Sequence, residues 1–389
     1  MTAAWGHGDK ATAILLCHWG PRAARPLMNA PSRHDLTLML NALAARFGGT
    51  AYAAVQLAAA LDRHPRVKRV LVVCRPDSIV DRGTVRSTRV AVLRVPVRHG
   101  PELAERIGWE ALRLPRAVAA HAADGLMTFS GMLPRTLVCP VVCLQANPVP
   151  YEDARNAGAA LRRVAFAHTA RAAEATYVPS AHVAGLVHGV PRVRIVPLGV
   201  DRAAFSPGDG LGRELLYVAD FYRHKRHDLV LEAYRALAGP RPVLRFIGNP
   251  DVEPATFVRI RDAARELRDV AVDGRVSFAA LQAAYRAARV FLIASERESF
   301  SMPLAEAMSV GAPAVARDHP TLRETAGDGA LYVSGDEPQA WAATIQRLLD
   351  DDALHAALRA RALAQSKRFS WDVMADRFVE DIDAAPRRR

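Results

Sequence analysis

Two patterns of apolar positions alternate along this chain. Short stretches rich in apolar residues occupy 36–42, 70–74, 90–95, 125–129 and 141–145, and later 215–218, 244–248, 275–278, 290–294 and 314–316. Short, mainly apolar stretches of that length suit strands buried on both faces, as in a parallel sheet. Between them apolar residues return every three or four positions, as at Ala53, Leu57, Ala58 and Leu61, or Leu231, Ala233 and Leu237. Those stretches, with others at 102–120, 337–349, 352–368 and 371–383, predict helices. Strand and helix in strict alternation predict an α/β chain of doubly wound parallel sheets, with any ligand at the carboxyl ends of the strands.

Length divides the pattern. A chain of 389 residues exceeds one ordinary core and fits two domains. The Ala-, Gly- and Pro-rich segment 1–35 lacks periodicity and is expected to be a poorly ordered extension. An N-terminal Rossmann-like domain is expected over 36–198, a second over 199–370, and a final helical segment over 371–389. No apolar run approaches the ~18 residues of a membrane-spanning helix, and 11–19 lacks the character of a secretory leader. The four cysteines, Cys17, Cys74, Cys139 and Cys143, show no metal or redox spacing, which fits buried reduced thiols in a cytoplasmic protein.

Charge is uneven. Residues 1–200 hold 25 Lys/Arg against 12 Asp/Glu, a balance of +13, while 201–389 hold 27 against 28, a balance of −1. A basic first half fits an anionic acceptor or peripheral contact with the inner face of a membrane, and equally an arginine-rich composition with no partner at all. No nucleic-acid-binding motif accompanies it, so nucleic acid is not expected.

The chemistry concentrates at 295–333, which begins S-E-R-E-S-F-S-M-P-L-A-E-A-M-S-V-G-A-P-A-V. It follows the apolar run 290–294; Pro303 opens a helix and Gly311 stops it, the expected asymmetry of helix ends. Backbone N–H groups of Ser301, Met302 and Leu304 then lie at a helix N-terminus, where free donors and the dipole favour phosphate or sugar oxygens. A carboxylate accepts two hydrogen bonds side by side, so Glu298 and Glu306 can each hold a vicinal diol. Hexose, diphosphate and ribose of a nucleotide-sugar have that layout. The plainer reading is a helix capped by Ser301 with Glu306 on a solvated face.

Two further places fit a ligand. Gly48–Gly49 lies between the first strand and an apolar-periodic helix, a glycine pair at an anion-ready helix start, though by itself only a turn signal. Gln145 and Asn147 follow the strand at 141–145, where side-chain amides reach a substrate or merely satisfy a proline-stiffened loop. The glycines of 208–212 precede a strand and do not form a dinucleotide fingerprint. Tyr285, at helical spacing, reads as core.

The 295–333 string, with Phe300, Pro303, Ala307, Met308, Gly311 and Pro313 in place, resembles the E-x7-E signature of family 4 retaining glycosyltransferases. It departs at Ser299 and Ser301, where glycine is usual. The stretch 175–180 resembles that family's strand and serine before a helix, and 193–201 with Phe205 and Pro207 resembles its inter-domain string, with Leu198 in place of asparagine. The resemblance implies the GT-B fold, two Rossmann-like domains facing across a cleft, with the last helix crossing back to the first domain. It implies metal-independent transfer of a hexosyl unit, with retention, from a nucleoside-diphosphate sugar to an acceptor hydroxyl, with no cofactor beyond that co-substrate. By position it assigns Glu298 and Lys225 to catalysis, and Gly48, Gly49, Gln145, Asn147, Phe300, Ser301, Met302, Pro303 and Glu306 to substrate. Asp220 stands where relatives carry a diphosphate-binding arginine, so Arg223 or Arg226 is expected to supply that charge. Two rivals stay open, a sugar-nucleotide epimerase of the same fold and a catalytically silent nucleotide-sugar-binding relative.

Overall fold

Apolar runs become strands of two parallel sheets in a computed structural model that describes residues 35–45, 48–97, 102–129, 138–147, 149–152, 157–208 and 212–386. The expected extension therefore lies outside the described residues but for Asp35, and residues 35–389 form one compact unit. The first sheet holds β1 (Leu36–Asn41), β2 (Val67–Cys74), β3 (Val90–Arg94), β4 (Gly125–Phe129), β5 (Val141–Leu144), β6 (Ala175–Val178) and β7 (Val193–Ile195), in the order 3-2-1-4-5-6-7. The second holds β8 (Glu214–Val218), β9 (Leu244–Ile247), β10 (Val270–Gly274), β11 (Ala288–Ile293), β12 (Ala314–Arg317) and β13 (Ala330–Val333), in the order 10-9-8-11-12-13. Each order reverses once, between β1 and β4 and between β8 and β11. A crevice opens at such a reversal because successive connections leave to opposite faces.

Helices on both faces bury the central strands completely, with Leu38, Met39 and Leu40 of β1 and Val290, Phe291 and Leu292 of β11 at 0% exposure. Each such side chain contributes roughly 1.5–3 kcal/mol. That margin tolerates a strained loop at the strand end. The last helix, Trp371–Ala384, packs on the first sheet: Ile382 lies over Gly125, the Tyr177 hydroxyl donates to Asp381 at 2.7 Å, and Arg63 pairs with Asp372 at 2.7 Å. The chain passes so close there that a Cβ on Gly199 would meet the Trp371 amide nitrogen at 2.3 Å.

Two expectations need correction. The run 275–278 is not a strand: β10 lies earlier, at Val270–Gly274, and Ser277 caps the helix Phe278–Ala287 by accepting from the Ala280 N–H at 3.2 Å. Gly274, at φ +65°, turns the chain between them. The alternation Val276-Ser277-Phe278 imitates a strand only because a serine cap sits between two apolar residues. The stretch 102–120 is two helices, Glu102–Leu112 and Leu114–Ala120, with Pro115 in the first turn of the second, where its missing N–H costs least.

Candidate functional site

Both reversal points face one cavity of about 710 Å³. From the first sheet it is lined by Gly48, Gly49, Thr50 and Tyr52 after β1 and by Ala146 and Asn147 after β5. From the second it is lined by Asp220, Tyr222, His224 and Lys225 after β8 and by the run from Arg297 to Pro303, with Glu306, after β11. The two walls touch where a Cβ on Gly49 would meet the Met302 sulfur at 3.6 Å. Ten of the twelve residues assigned from sequence thus converge on a single space.

The wall after β11 is built from outside inward. Thr321 and Thr325, both on the helix Pro320–Ala326, donate their hydroxyls to the carbonyls of Glu298, at 3.0 Å, and Phe300. Phe300 packs edge-on against Phe369, with ring centroids 5.0 Å apart. Those contacts fix the loop that presents Glu298, 9% exposed, to Lys225, whose ammonium donates to its carboxylate at 2.7 Å. Lys225 itself is carried by the short 3-10 turn Arg223–Lys225, and the His224 carbonyl accepts from the Glu296 N–H at 2.9 Å. The helix Met302–Val310 follows with its N-terminus at the cavity.

Ser301 does not cap that helix. It sits in the left-handed region at φ +69°, makes no capping hydrogen bond, and its buried hydroxyl has no partner. Glu306 does not lie on a solvated face either. It is 8% exposed and accepts from the Tyr285 hydroxyl at 2.7 Å. Burial pushes the Glu306 carboxyl up to about 7, with Asp201 adding to the rise and the Tyr285 hydrogen bond opposing it. Burial and the neighbouring Lys225 charge lower His224 to about 4, so its ring is neutral at physiological pH.

Gln145 and Arg223 are corrections. Gln145 is 3% exposed and does not line the cavity: β5 ends at Leu144, the strand's two-residue alternation stops there, and Ala146 and Asn147 reach the space instead. Arg223 also lies off the cavity, because a turn of three residues per rotation directs the first and third side chains apart. Its N–H donates to Glu253 at 2.9 Å. Arg226 pairs with Glu296 at 2.9 Å and with Asp336. Asp220 lines the cavity and accepts the Asn249 N–H at 3.1 Å, so at this position the chain has a loop anchor rather than a cation. The second cation at the cavity is Arg297, whose guanidinium approaches Glu152 at 3.7 Å. Its neighbour Glu298 was the only signal for it in the sequence, and side-chain direction alone distinguishes it from Arg223 and Arg226.

Residues 208–365 match the family model described as glycosyl transferases group 1. The D-inositol 3-phosphate glycosyltransferase of Xylanimonas cellulosilytica is 32% identical over 221 residues, 51% of this chain and 52% of the relative. The O-antigen chain mannosyltransferase B of Escherichia coli is 41% identical over 88 residues, 23% of each chain. The chain thus spans about half the length of the first of these curated relatives. Among solved structures, HepE of Anabaena in complex with UDP-glucose superposes with a TM-score of 0.72 at 14% identity, covering 90% of this chain and 100% of that one. Sucrose-phosphate synthase of Thermosynechococcus elongatus gives 0.71 at 18%, covering 89% and 98%. The fold is GT-B. Among the described residues, no helix is long and apolar enough to cross a membrane.

Proposed function

We propose that the chain is a retaining glycosyltransferase that moves a hexosyl unit from a nucleoside-diphosphate sugar to an acceptor hydroxyl. The observation that carries this reading is the placement of Glu298 and Glu306, both buried, on either side of one helix N-terminus in one cavity. Glu306 takes the ribose diol, the helix N-terminus and Lys225 take the diphosphate, and Glu298 orients the hexose. HepE, of the same fold, holds UDP-glucose, which supports a donor of that class.

In the transfer, the bond from the anomeric carbon to the phosphate oxygen breaks and a bond to the acceptor oxygen forms on the same face. The acceptor proton goes to the departing phosphate. Charge developing on that phosphate meets Lys225, Arg297 and the aligned amides, fixed donors that stabilise it without a metal ion. Lys225 and Glu298 hold each other in place at 2.7 Å until the donor arrives.

The purified protein offered UDP-, GDP- and ADP-sugars with candidate acceptors tests this. Turnover of one donor with the anomeric configuration retained is expected, and Glu298→Gln should lower it about 10²-fold. Tight binding without turnover of any donor would favour the silent relative. Recovery of an epimerised donor would favour the epimerase.

A further inference from the structure

The helix Pro320–Ala326 carries the two buried threonines that hold the loop of Glu298, Thr321 on the Glu298 carbonyl and Thr325 on the Phe300 carbonyl. Between them in sequence, Glu324 is exposed and engages the half of the molecule built on the first sheet. Its carboxylate accepts the Ala181 N–H at 2.6 Å and the His182 N–H at 2.9 Å, at the start of the helix Ala181–Leu186. Residues three apart on a helix are neighbours, so Thr321 and Glu324 act from one short, rigid element.

The first N–H groups of a helix have no partner inside it. Ser180 meets two of them here: its hydroxyl accepts from Val183 at 3.3 Å and its carbonyl from Ala184 at 3.0 Å. Glu324 meets the two before them, from the other half of the molecule. Two parallel bonds to one carboxylate fix a direction as well as a distance. Solvent screens an exposed contact of this kind, so it adds little to overall stability and releases readily. His319 caps the helix Pro320–Ala326 by accepting the Thr321 N–H at 3.2 Å, and meets the His182 ring edge-on with centroids 5.0 Å apart. A second charged contact between the halves is weaker. Arg297 approaches Glu152 at 3.7 Å, beyond hydrogen-bond range, and the Glu152 Oε2 has no hydrogen-bond partner.

We propose that Glu324 is a positioning residue for Glu298. By holding the start of the helix Ala181–Leu186 it fixes the helix Pro320–Ala326, whose threonines fix the loop that presents Glu298 to Lys225. The Glu298 carboxylate is then held in place only while the two halves are docked. The catalytic consequence rests on the glycosyltransferase reading above, whereas the mechanical link from Glu324 to the loop does not.

Amide hydrogen exchange of the full, ligand-free chain tests the link without any substrate. In Glu324→Ala, amides 181–182 lose their acceptor, and the peptide spanning 298–302 should also exchange about fivefold faster. Glu324→Gln, whose carboxamide oxygen still accepts one N–H, should show a smaller change at both places. Exchange in β9 should stay as it is in both variants. Acceleration confined to 181–182, or absent from both places, overturns the inference. So does acceleration that reaches β9 equally in both variants, since the effect would then be a general loss of stability. With whichever sugar donor is turned over, Glu324→Ala should lower kcat about fivefold and leave the donor KM within about twofold. Combined with Thr321→Val it should lower kcat little beyond Thr321→Val alone, because both act through one element. Losses that multiply overturn the inference. If exchange spreads to 298–302 but the unmodified protein turns over no donor, the link stands and the glycosyltransferase reading falls.

Discussion

The two walls of the cavity differ in how they are made. The wall from the second sheet is dense with paired polar groups: Lys225 on Glu298, Tyr285 on Glu306, and threonine hydroxyls on the carbonyls of the loop between. The wall from the first sheet presents uncharged groups, with Gly48 open on its Cβ side and Gly49 facing a flexible methionine. Preorganised charge suits a ligand part that is the same at every turnover, and an open wall suits a part that varies. A diphosphate requires fixed cations. An acceptor hydroxyl requires room and a correct distance.

Lys225→Met should separate the walls most sharply. It removes the cation and leaves Glu298 buried without a partner, so donor turnover (kcat/KM) is expected to fall about 10³-fold. A loss under tenfold would mean that Arg297 and the helix N-terminus carry the phosphate charge alone.

Glu306 provides the next effect, and its sign is opposite to that of most paired carboxylates. Its folded value, about 7, lies above the ordinary 4.5. The folded state therefore holds this proton longer than the unfolded chain does, and stability falls as pH rises from 4.5 to 7. Glu306→Gln should stabilise the ligand-free protein above pH 7 by up to roughly 3 kcal/mol and by almost nothing below pH 4.5. Denaturant titrations at pH 4.5 and 8 measure the difference. The same variant should bind the nucleotide more weakly, because a carboxamide accepts only one of the two ribose hydrogen bonds.

On the first wall the expected change is smallest. Gly48→Ala forces an alanine to φ +62° but meets no atom within 4 Å, so chemical denaturation should show a loss of about 1 kcal/mol. A loss several times larger would show that this wall is built as tightly as the other.

Periodicity determined most of the fold. Buried parallel strands need both faces apolar, so the runs at 125–129 and 244–248 were visible without any partner in view. The one strand misplaced, at 275–278, is where a serine cap between apolar residues imitates alternation. The E-x7-E string likewise made the second-sheet wall of the cavity legible, because Glu298, the helix start and Glu306 are close in sequence as well as in space. What only the tertiary structure decided was direction. Arg223, Lys225, Arg226 and Arg297 are alike as cations in a sequence, yet a 3-10 turn directs Arg223 away, ion pairs with Glu296 and Asp336 engage Arg226, and Arg297 lines the cavity. Ser301 is the other case. Its sequence context reads as a cap, and only the left-handed backbone imposed by the packed loop shows a hydroxyl without a partner.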